Sequence, residues 1–170
     1  MPSTTTIRRV EPADLDWFFQ HQQDLQAVYM AAFTSKAPAD RAAFDAHWKR
    51  LLASESVIVR TILEGVRVIG HIARYEFEGR AQITYWIARE AWGRGHASRA
   101  LEAFLEELDD DEVGARVAAD NAASRRVLEK CGFQVIGSGW AYANGRGEEI
   151  DELIYLRQRS IDSPPPRSRR

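Results

Sequence analysis

The sequence predicts a mixed α+β fold in which helices flank one mostly antiparallel sheet. In the middle of the chain, three strand-like segments follow one another with only tight-turn signals between them, which is typical of an antiparallel meander. Further along, a strand-like segment leads through a glycine-rich turn into a helix and then into another strand. Two strands joined by a helix can run parallel when they share a sheet. We therefore expect a mostly antiparallel sheet with one parallel pair and about four helices.

Composition limits the classes of function. The chain has 170 residues, which suits one domain over residues 1–159, followed by a disordered Pro/Arg tail over residues 160–170. A formal net charge of −2 argues against a nucleic-acid partner. Cys131 is the only cysteine, so no internal disulfide can form and a cytoplasmic location is expected. No membrane span of roughly 20 apolar residues and no metal-ligand spacing is expected either.

The first third of the chain is predicted to hold one strand and two helices. Ile7–Val10 is a short strand, and residues 12–32 follow helical spacing as a single helix. Asp40 can cap a second helix, where His47 is expected to pack on the apolar face. The other members of that face are Phe44, Trp48, Leu51 and Leu52.

The meander occupies the middle of the chain. Its three strands are predicted over residues 56–63, 66–77 and 81–88. Glu64-Gly65 and Glu78-Gly79-Arg80 supply the turns between them, since glycine accepts the positive φ that tight hairpins need.

Two helices and three strands are predicted in the remaining part. Ala97–Leu108 is strongly amphipathic, and Gly132 is placed as the left-handed cap of the later helix. The other elements are a strand over residues 113–120, the helix over residues 121–131, and paired strands over residues 133–138 and 150–157.

The stretch WGRGHAS, Trp92 to Ser98, joins the third meander strand to the amphipathic helix. A glycine-rich turn before a helix exposes backbone N–H groups at the positive end of the helix dipole, which favours a phosphate ligand. A mononucleotide P-loop needs Gly-Lys-Ser/Thr, which is absent here. A dinucleotide site needs GxGxxG, and Ser98 stands in place of its third glycine. On these residues alone, a plain glycine turn that binds no ligand is still an alternative.

A second motif makes the hinge more specific. Residues 120–133 read DNAASRRVLEKCGF, and together with WGRGHA they resemble the GNAT superfamily of N-acetyltransferases, in a branch similar to the ribosomal-protein-alanine N-acetyltransferases. Similarity to that family is strong from about Tyr85 to Phe133. The resemblance implies a splayed parallel strand pair that holds acetyl-CoA, and transfer of its acetyl group to a primary amine.

The resemblance also implies roles for individual residues. The backbone of residues 85–87 would pair with the pantetheine arm, and the amides of the hinge would hold the diphosphate. Asn121 would contact the cofactor and Ser124 would lie near its sulfur, with Ser124 and Tyr85 as the catalytic candidates. The predicted cofactor-binding residues are Tyr85, Trp86, Ile87, Trp92, Gly93, Arg94, Gly95, His96, Ala97, Ser98, Asn121 and Ser124.

The sequence leaves the general acid and base open. Many family members place a tyrosine acid where this chain has Leu128, so Ser124 is the replacement candidate. Gln82 stands where the branch often has a glutamate. The base candidates are therefore His71, Glu76, Glu78 and the hydroxyl of Tyr85. An α-amine with a pKa near 8 could also react with water alone as the base.

The acceptor is predicted only as a class. It is a primary amine on a protein N-terminus, on an amino acid or polyamine, or on an antibiotic. One residue of the run Trp17-Phe18-Phe19 is a candidate to line its pocket, and acidic lining residues would favour a polyamine or an aminoglycoside. Direct attack in a ternary complex is expected, because Cys131 is predicted to be structural. A non-catalytic CoA-binding regulatory module is the alternative, and a homodimer is compatible with the resemblance.

Overall fold

A seven-stranded sheet forms the centre of the computed structural model, which describes residues 3–160. The strands lie in the order β1-β2-β3-β4-β5-β7-β6, and every neighbouring pair is antiparallel except β4 and β5. The expected mostly antiparallel sheet with one parallel pair is confirmed. The strands are β1 Thr5–Arg9, β2 Ile58–Glu64, β3 Arg67–Phe77, β4 Arg80–Ile87, β5 Glu112–Ala118, β6 Gln134–Ala143 and β7 Glu148–Gln158.

Five α-helices in residues 3–160 cover the two faces of the sheet. They are α1 Asp14–His21, α2 Leu25–Ala31, α3 Arg41–Ala53, α4 His96–Glu107 and α5 Ala122–Lys130. Helices α4 and α5 cover the larger core, which includes Ile72, Phe104 and Tyr155. Helices α1 and α3 cover the opposite face, around Phe18 and Trp48. No helix within residues 3–160 is long and apolar enough to cross a bilayer.

The N-terminal helical segment is two helices, so the prediction of one helix over residues 12–32 was wrong. The chain leaves α1 after His21, and the side chain of Asp24 accepts a hydrogen bond from the Ala27 amide to start α2. A local side-chain cap competes with helix continuation, and apolar spacing alone does not register it. By contrast, the Asp40 cap of α3 is confirmed, since its carboxylate accepts from the Ala43 amide at 2.9 Å.

The C-terminal hairpin is longer than predicted. Strand β6 continues to Ala143 and β7 begins at Glu148, so the turn shrinks to residues 144–147. Gly145 lies against the end of α2, where its amide donates to Ala32 O at 2.8 Å and a Cβ would lie 2.4 Å from Val28 O. This contact holds α2 against the sheet. Of the predicted tail, residues 161–170 lie outside the described residues.

The parallel pair β4–β5 is joined at one register position only, Gln82 to Gly114. Beyond it the strands separate, while β4 stays paired to β3 as far as Ile87. The Ala88 amide donates to Ile69 O on β3 at 2.7 Å. Because successive N–H groups of an antiparallel strand point to opposite sides, the amides of Tyr85 and Ile87 point towards the gap.

Candidate active site

The hinge opens one end of that gap. Gly93 and Gly95 have φ of 74° and 80°, a region that residues with a Cβ rarely adopt. Helix α4 begins directly after Gly95 and has no side-chain N-cap. The first amides of a helix have no intrahelical partner, so His96, Ala97 and Ser98 offer their N–H groups at the positive end of α4. This geometry suits an anion such as a diphosphate.

The side chains of His96 and Arg94 turn away from these amides. His96 is buried beneath the hinge, with Nδ1 2.7 Å from Thr5 Oγ1 and Nε2 3.4 Å from Glu64 Oε1. Burial lowers the pKa of His96, although Glu64 partly offsets that effect. Arg94 donates to Glu64 Oε1 at 2.5 Å. In this arrangement the two residues present their backbone, and not their side chains, to the hinge.

Trp92 ties the hinge to the end of β4. Its indole Nε1 donates to Ile87 O at 2.8 Å, so the side chain spans from the hinge to the strand that lines the gap. That bond uses the carbonyl of Ile87 and leaves the Ile87 amide without a strand partner on the same side. Trp92 therefore holds the hinge against the end of β4, although 38% of its surface is exposed.

Tyr85 and Ser124 meet across the gap. The two hydroxyl oxygens lie 2.7 Å apart, one from β4 and the other from the first turn of α5. Asn121 caps α5 by accepting from the Ser124 amide at 3.2 Å, and its Nδ2 donates to Met30 O at 3.1 Å. Burial raises the pKa of Tyr85 to about 12, even though the bond to Ser124 opposes that shift. Tyr85 is thus a neutral proton donor at pH 7, which disfavours it as a base.

An aromatic wall closes the other side of the gap. His71 on β3 stands opposite Trp86 on β4, and its ring packs 4.8 Å from Phe18 and 5.0 Å from Trp48. His71 Nδ1 and Trp86 Nε1 are both buried without a hydrogen-bond partner among residues 3–160. Burial lowers the pKa of His71 to about 3, so its imidazole is neutral at physiological pH. Such orphaned polar atoms are uncommon in native proteins and point to a ligand.

The remaining base candidates do not reach this region. Glu76 and Glu78 lie at the far end of β3 and in the following turn, and neither lines the cleft. Glu76 instead lies 3.3 Å from Arg74. Gln82 is buried beside Gly114, where a Cβ would lie 2.5 Å from its Nε2. Gln82 therefore fills the point where β4 and β5 touch.

Glu152 is a site residue that sequence reasoning missed. It is 5% exposed on β7, and it is the only Asp or Glu among the described residues that line the cleft. Arg116 Nη1 on β5 donates to its Oε1 at 2.9 Å. A signal was available, because strand alternation places Glu152 on the same face as Ile150 and Ile154. A carboxylate between two inward-facing isoleucines seldom serves packing alone.

One cleft of about 770 Å³ connects these parts. It is lined by Gly93 and Gly95 at the hinge, by Ser124 at its waist, and by His71 and Trp48 at its far end. Its volume falls in the range of about 300–1,000 Å³ that small-molecule sites occupy. Of the twelve predicted cofactor-binding residues, all except Arg94 line this cleft. His47 was expected to pack on the apolar face of α3, but it is exposed and also lines the cleft.

Comparison with known proteins identifies the family of this chain. The family model described as an acetyltransferase (GNAT) domain matches residues 5–134. This chain belongs to the GNAT acetyltransferase family. A putative ribosomal N-acetyltransferase, YdaF of Bacillus subtilis, is 30% identical over 159 residues, covering 85% of this chain and 87% of that protein.

Solved structures share the fold. The ribosomal L7/L12 alpha-N-protein acetyltransferase RimL, in complex with coenzyme A, has a TM-score of 0.80 at 18% identity, covering 91% of this chain and 94% of its own. The spermidine N-acetyltransferase of Vibrio cholerae, in complex with CoA and spermine, has a TM-score of 0.74 at 18% identity, covering 90% and 95%.

The GNAT protein described here is an N-acetyltransferase that uses acetyl-CoA. Its residues fit that cofactor, because the hinge offers uncapped amides where glycine keeps the approach open and the gap offers the unpaired edge of β4. Family membership and the mostly antiparallel sheet also exclude a doubly wound dinucleotide-binding fold at the hinge. The non-catalytic alternative gains no support from relatives that are named as N-acetyltransferases.

Proposed function

We propose that this protein acetylates the α-amine of a peptide N-terminus by direct attack on acetyl-CoA in a ternary complex. The observation that carries the proposal is the single cleft, in which the hinge and the aromatic wall lie on either side of the Tyr85–Ser124 pair. Such a cleft can hold donor and acceptor at the same time. Holding two reactants together lowers the entropic part of the barrier.

The donor half is assigned to the hinge and the edge of β4. The amides of residues 93–98 would hold the diphosphate, and the backbone of residues 85–87 would pair with the pantetheine arm. Acetyl-CoA supplies an activated acetyl thioester there. The amide of Ile87 would donate to the oxygen that becomes negative during attack, a contribution typically worth about 3–4 kcal/mol.

Tyr85 and Ser124 serve as the proton donors to the departing sulfur. Burial raises the pKa of Tyr85 to about 12, so Tyr85 is a weaker acid than an ordinary tyrosine, but it stays protonated at pH 7 and the pair keeps a hydroxyl proton to share with the sulfur. An alkyl thiol has a pKa near 8.5, so the thiolate needs only modest assistance. The Ser124 hydroxyl therefore substitutes for the tyrosine acid that Leu128 excludes.

Direct attack is favoured over an acyl-cysteine. Burial raises the pKa of Cys131 to about 11, and its Sγ lies 3.6 Å from Ser98 O. A neutral thiol is a weak nucleophile, since the thiolate is the reactive form. Cys131 also lies in the core beneath α4 and α5, in keeping with a structural role.

The acceptor half supports an α-amine over a polycation. Glu152 is the one carboxylate among the described lining residues, and Arg116 already neutralises it. A polyamine or aminoglycoside carries several cations that need several carboxylates. An α-amine with a pKa near 8 is about a tenth neutral at pH 7, so it can react without a strong base. The name of the Bacillus relative, a putative ribosomal N-acetyltransferase, supports the same acceptor class.

Thiol release from acetyl-CoA across an acceptor panel tests the proposal. The panel contains short peptides with N-terminal alanine or serine, free amino acids, spermidine and an aminoglycoside. We expect the highest kcat/KM with a peptide. Faster turnover of spermidine or of the aminoglycoside would assign the cleft to a cationic acceptor instead.

A further inference from the structure

The Glu152 carboxylate is buried, and only one of its two oxygens accepts a hydrogen bond from the described residues. Its side chain is 7% exposed, and Oε1 accepts from Arg116 at 2.9 Å. Its Oε2 has no hydrogen-bond partner among residues 3–160, and this oxygen is not fully enclosed by protein. Oε2 therefore keeps some accessible surface, and Glu152 is one of the residues that line the cleft. A buried carboxylate is expensive unless it is fully paired, so an oxygen left open points to a ligand contact.

The strand register places Glu152 opposite the reactive part of the gap. Glu152 pairs with Ala118 on β5, and Gln82 on β4 pairs with Gly114. Because β4 and β5 run parallel, counting four residues along each strand from this pair places Trp86 of β4 level with Ala118 of β5. Glu152 thus lies two strand spacings from Trp86, roughly 10 Å at the usual spacing and more where the strands splay. That separation leaves room for an amine between them.

The carboxylate also faces the acceptor side of the sheet. On β7, Leu153 and Tyr155 pack into the core under α4 and α5, so Glu152 projects to the opposite face. The aromatic wall of Phe18, Trp48 and His71 lies on that face. An amine that enters along this wall would approach the acetyl group with Glu152 beside its nitrogen.

We propose that Glu152 is the proton acceptor of the acetyl transfer, held in place by Arg116. As the amine nitrogen forms its bond to the acetyl carbon, Oε2 takes the proton that the nitrogen loses, directly or through one water. The carbon–sulfur bond breaks, and the sulfur receives a proton from the Tyr85–Ser124 pair. Glu152 then returns its proton to solvent and Ser124 regains one, so protons balance over the cycle. This inference rests on the proposed transfer to an amine.

The test compares E152Q with E149Q, because Glu149 is exposed on the same strand. We expect E152Q to lower kcat about 100-fold, as loss of a general base usually does, with the acetyl-CoA-induced thermal shift unchanged. E149Q should stay within twofold of wild type. An E152Q enzyme within threefold of wild type would overturn the proposal.

Chemical rescue separates proton acceptance from structural support. In E152A, formate can occupy the vacated place beside Arg116 and supply a carboxylate. We expect formate to restore kcat in a saturable way and chloride at equal ionic strength not to do so. Equal rescue by both anions would mean that Glu152 only neutralises Arg116. Should E152A fail to fold, E152D, which keeps a proton-accepting carboxylate, is compared with E152Q, and equal kcat values for these two variants would contradict the proposal.

The acceptor assignment is tested separately by using the best amine of the panel in every comparison. If wild type prefers a polyamine, the acceptor proposal fails while the ratio of E152Q to wild type still tests Glu152. If wild type acetylates peptides and E152Q does so equally well, only the role of Glu152 fails.

Discussion

The two halves of the cleft are built in different ways. The proposed donor half comes from three short continuous stretches, residues 85–87 at the edge of β4, Trp92–Ser98 at the hinge and Asn121–Ser124 at the start of α5. The acceptor half is assembled from α1, α3, β3, β5 and β7, so its residues span from Phe18 to Glu152. A local motif can specify a bound group through backbone geometry alone. A wall of scattered side chains depends on tertiary packing, and this is why the donor was evident before the acceptor.

The sharpest test of the donor half is G95V. Valine at φ of 80° is strained by about 1–3 kcal/mol, and its Cβ would lie 2.7 Å from Nη1 of Arg99, so the Arg99 side chain at the hinge would have to move. We expect the kcat/KM for acetyl-CoA to fall about 100-fold, measured by initial rates. The matched control is G79V, which has a φ of 75° in the β3–β4 turn and an open Cβ position. Equal losses of kcat/KM in both variants would show that the hinge supports the fold and does not bind the cofactor.

The waist of the cleft is tested by Y85F, S124A and the double variant. We expect each single change to lower kcat roughly tenfold, with the double variant little worse than either single one, because both residues act through one hydrogen-bonded pair. Steady-state kinetics with a fixed amine measures this. Fully multiplicative losses would show that the two hydroxyls act independently.

In the acceptor half, His71 makes the free energy of unfolding depend on pH. The pKa of His71 is lowered to about 3 by burial, against about 6.5 when unfolded, so the folded state disfavours its protonation. Its contribution to stability is present above pH 6.5 and is lost as pH falls towards 3, by at most about 1.4 kcal/mol per pH unit. The unfolding free energy of wild type should fall more steeply than that of H71L over this range. H47L, at an exposed histidine, should change the slope less.

The smallest expected effect is that of W92F, which removes the hydrogen bond to Ile87 O while keeping an aromatic ring. A neutral hydrogen bond contributes about 1 kcal/mol net, so we expect the Kd for CoA to rise about fivefold. Isothermal titration calorimetry measures it. An unchanged Kd would show that the hydrogen bond from Trp92 to Ile87 does not contribute to CoA binding.

Much of the fold followed from periodicity and turn chemistry. The meander, the parallel pair and the helix starts at Asp40 and Asn121 were predicted because each depends on a local pattern. The break between α1 and α2 was not, since a carboxylate cap at Asp24 overrode continuous helical spacing.

The site followed the same division. The family resemblance named Tyr85 and Ser124 separately, but it predicted neither the hydrogen bond between them nor the inward turn of His96. That turn depends on Thr5 and Glu64, which are distant in sequence and come together only when β1 and β2 pack beneath the hinge. Strand alternation marked Glu152 as an inward-facing carboxylate, but its nearness to the β4–β5 gap depends on the pairing of β7 with β5, which the sequence does not show.

The proposed acceptor, an α-amine, can be identified with a peptide that has a free N-terminal alanine and one internal lysine, incubated with acetyl-CoA and analysed by fragmentation mass spectrometry. We expect a single acetyl group on the alanine nitrogen at pH 7. Acetylation of the lysine side chain in preference to the N-terminus would contradict the proposal.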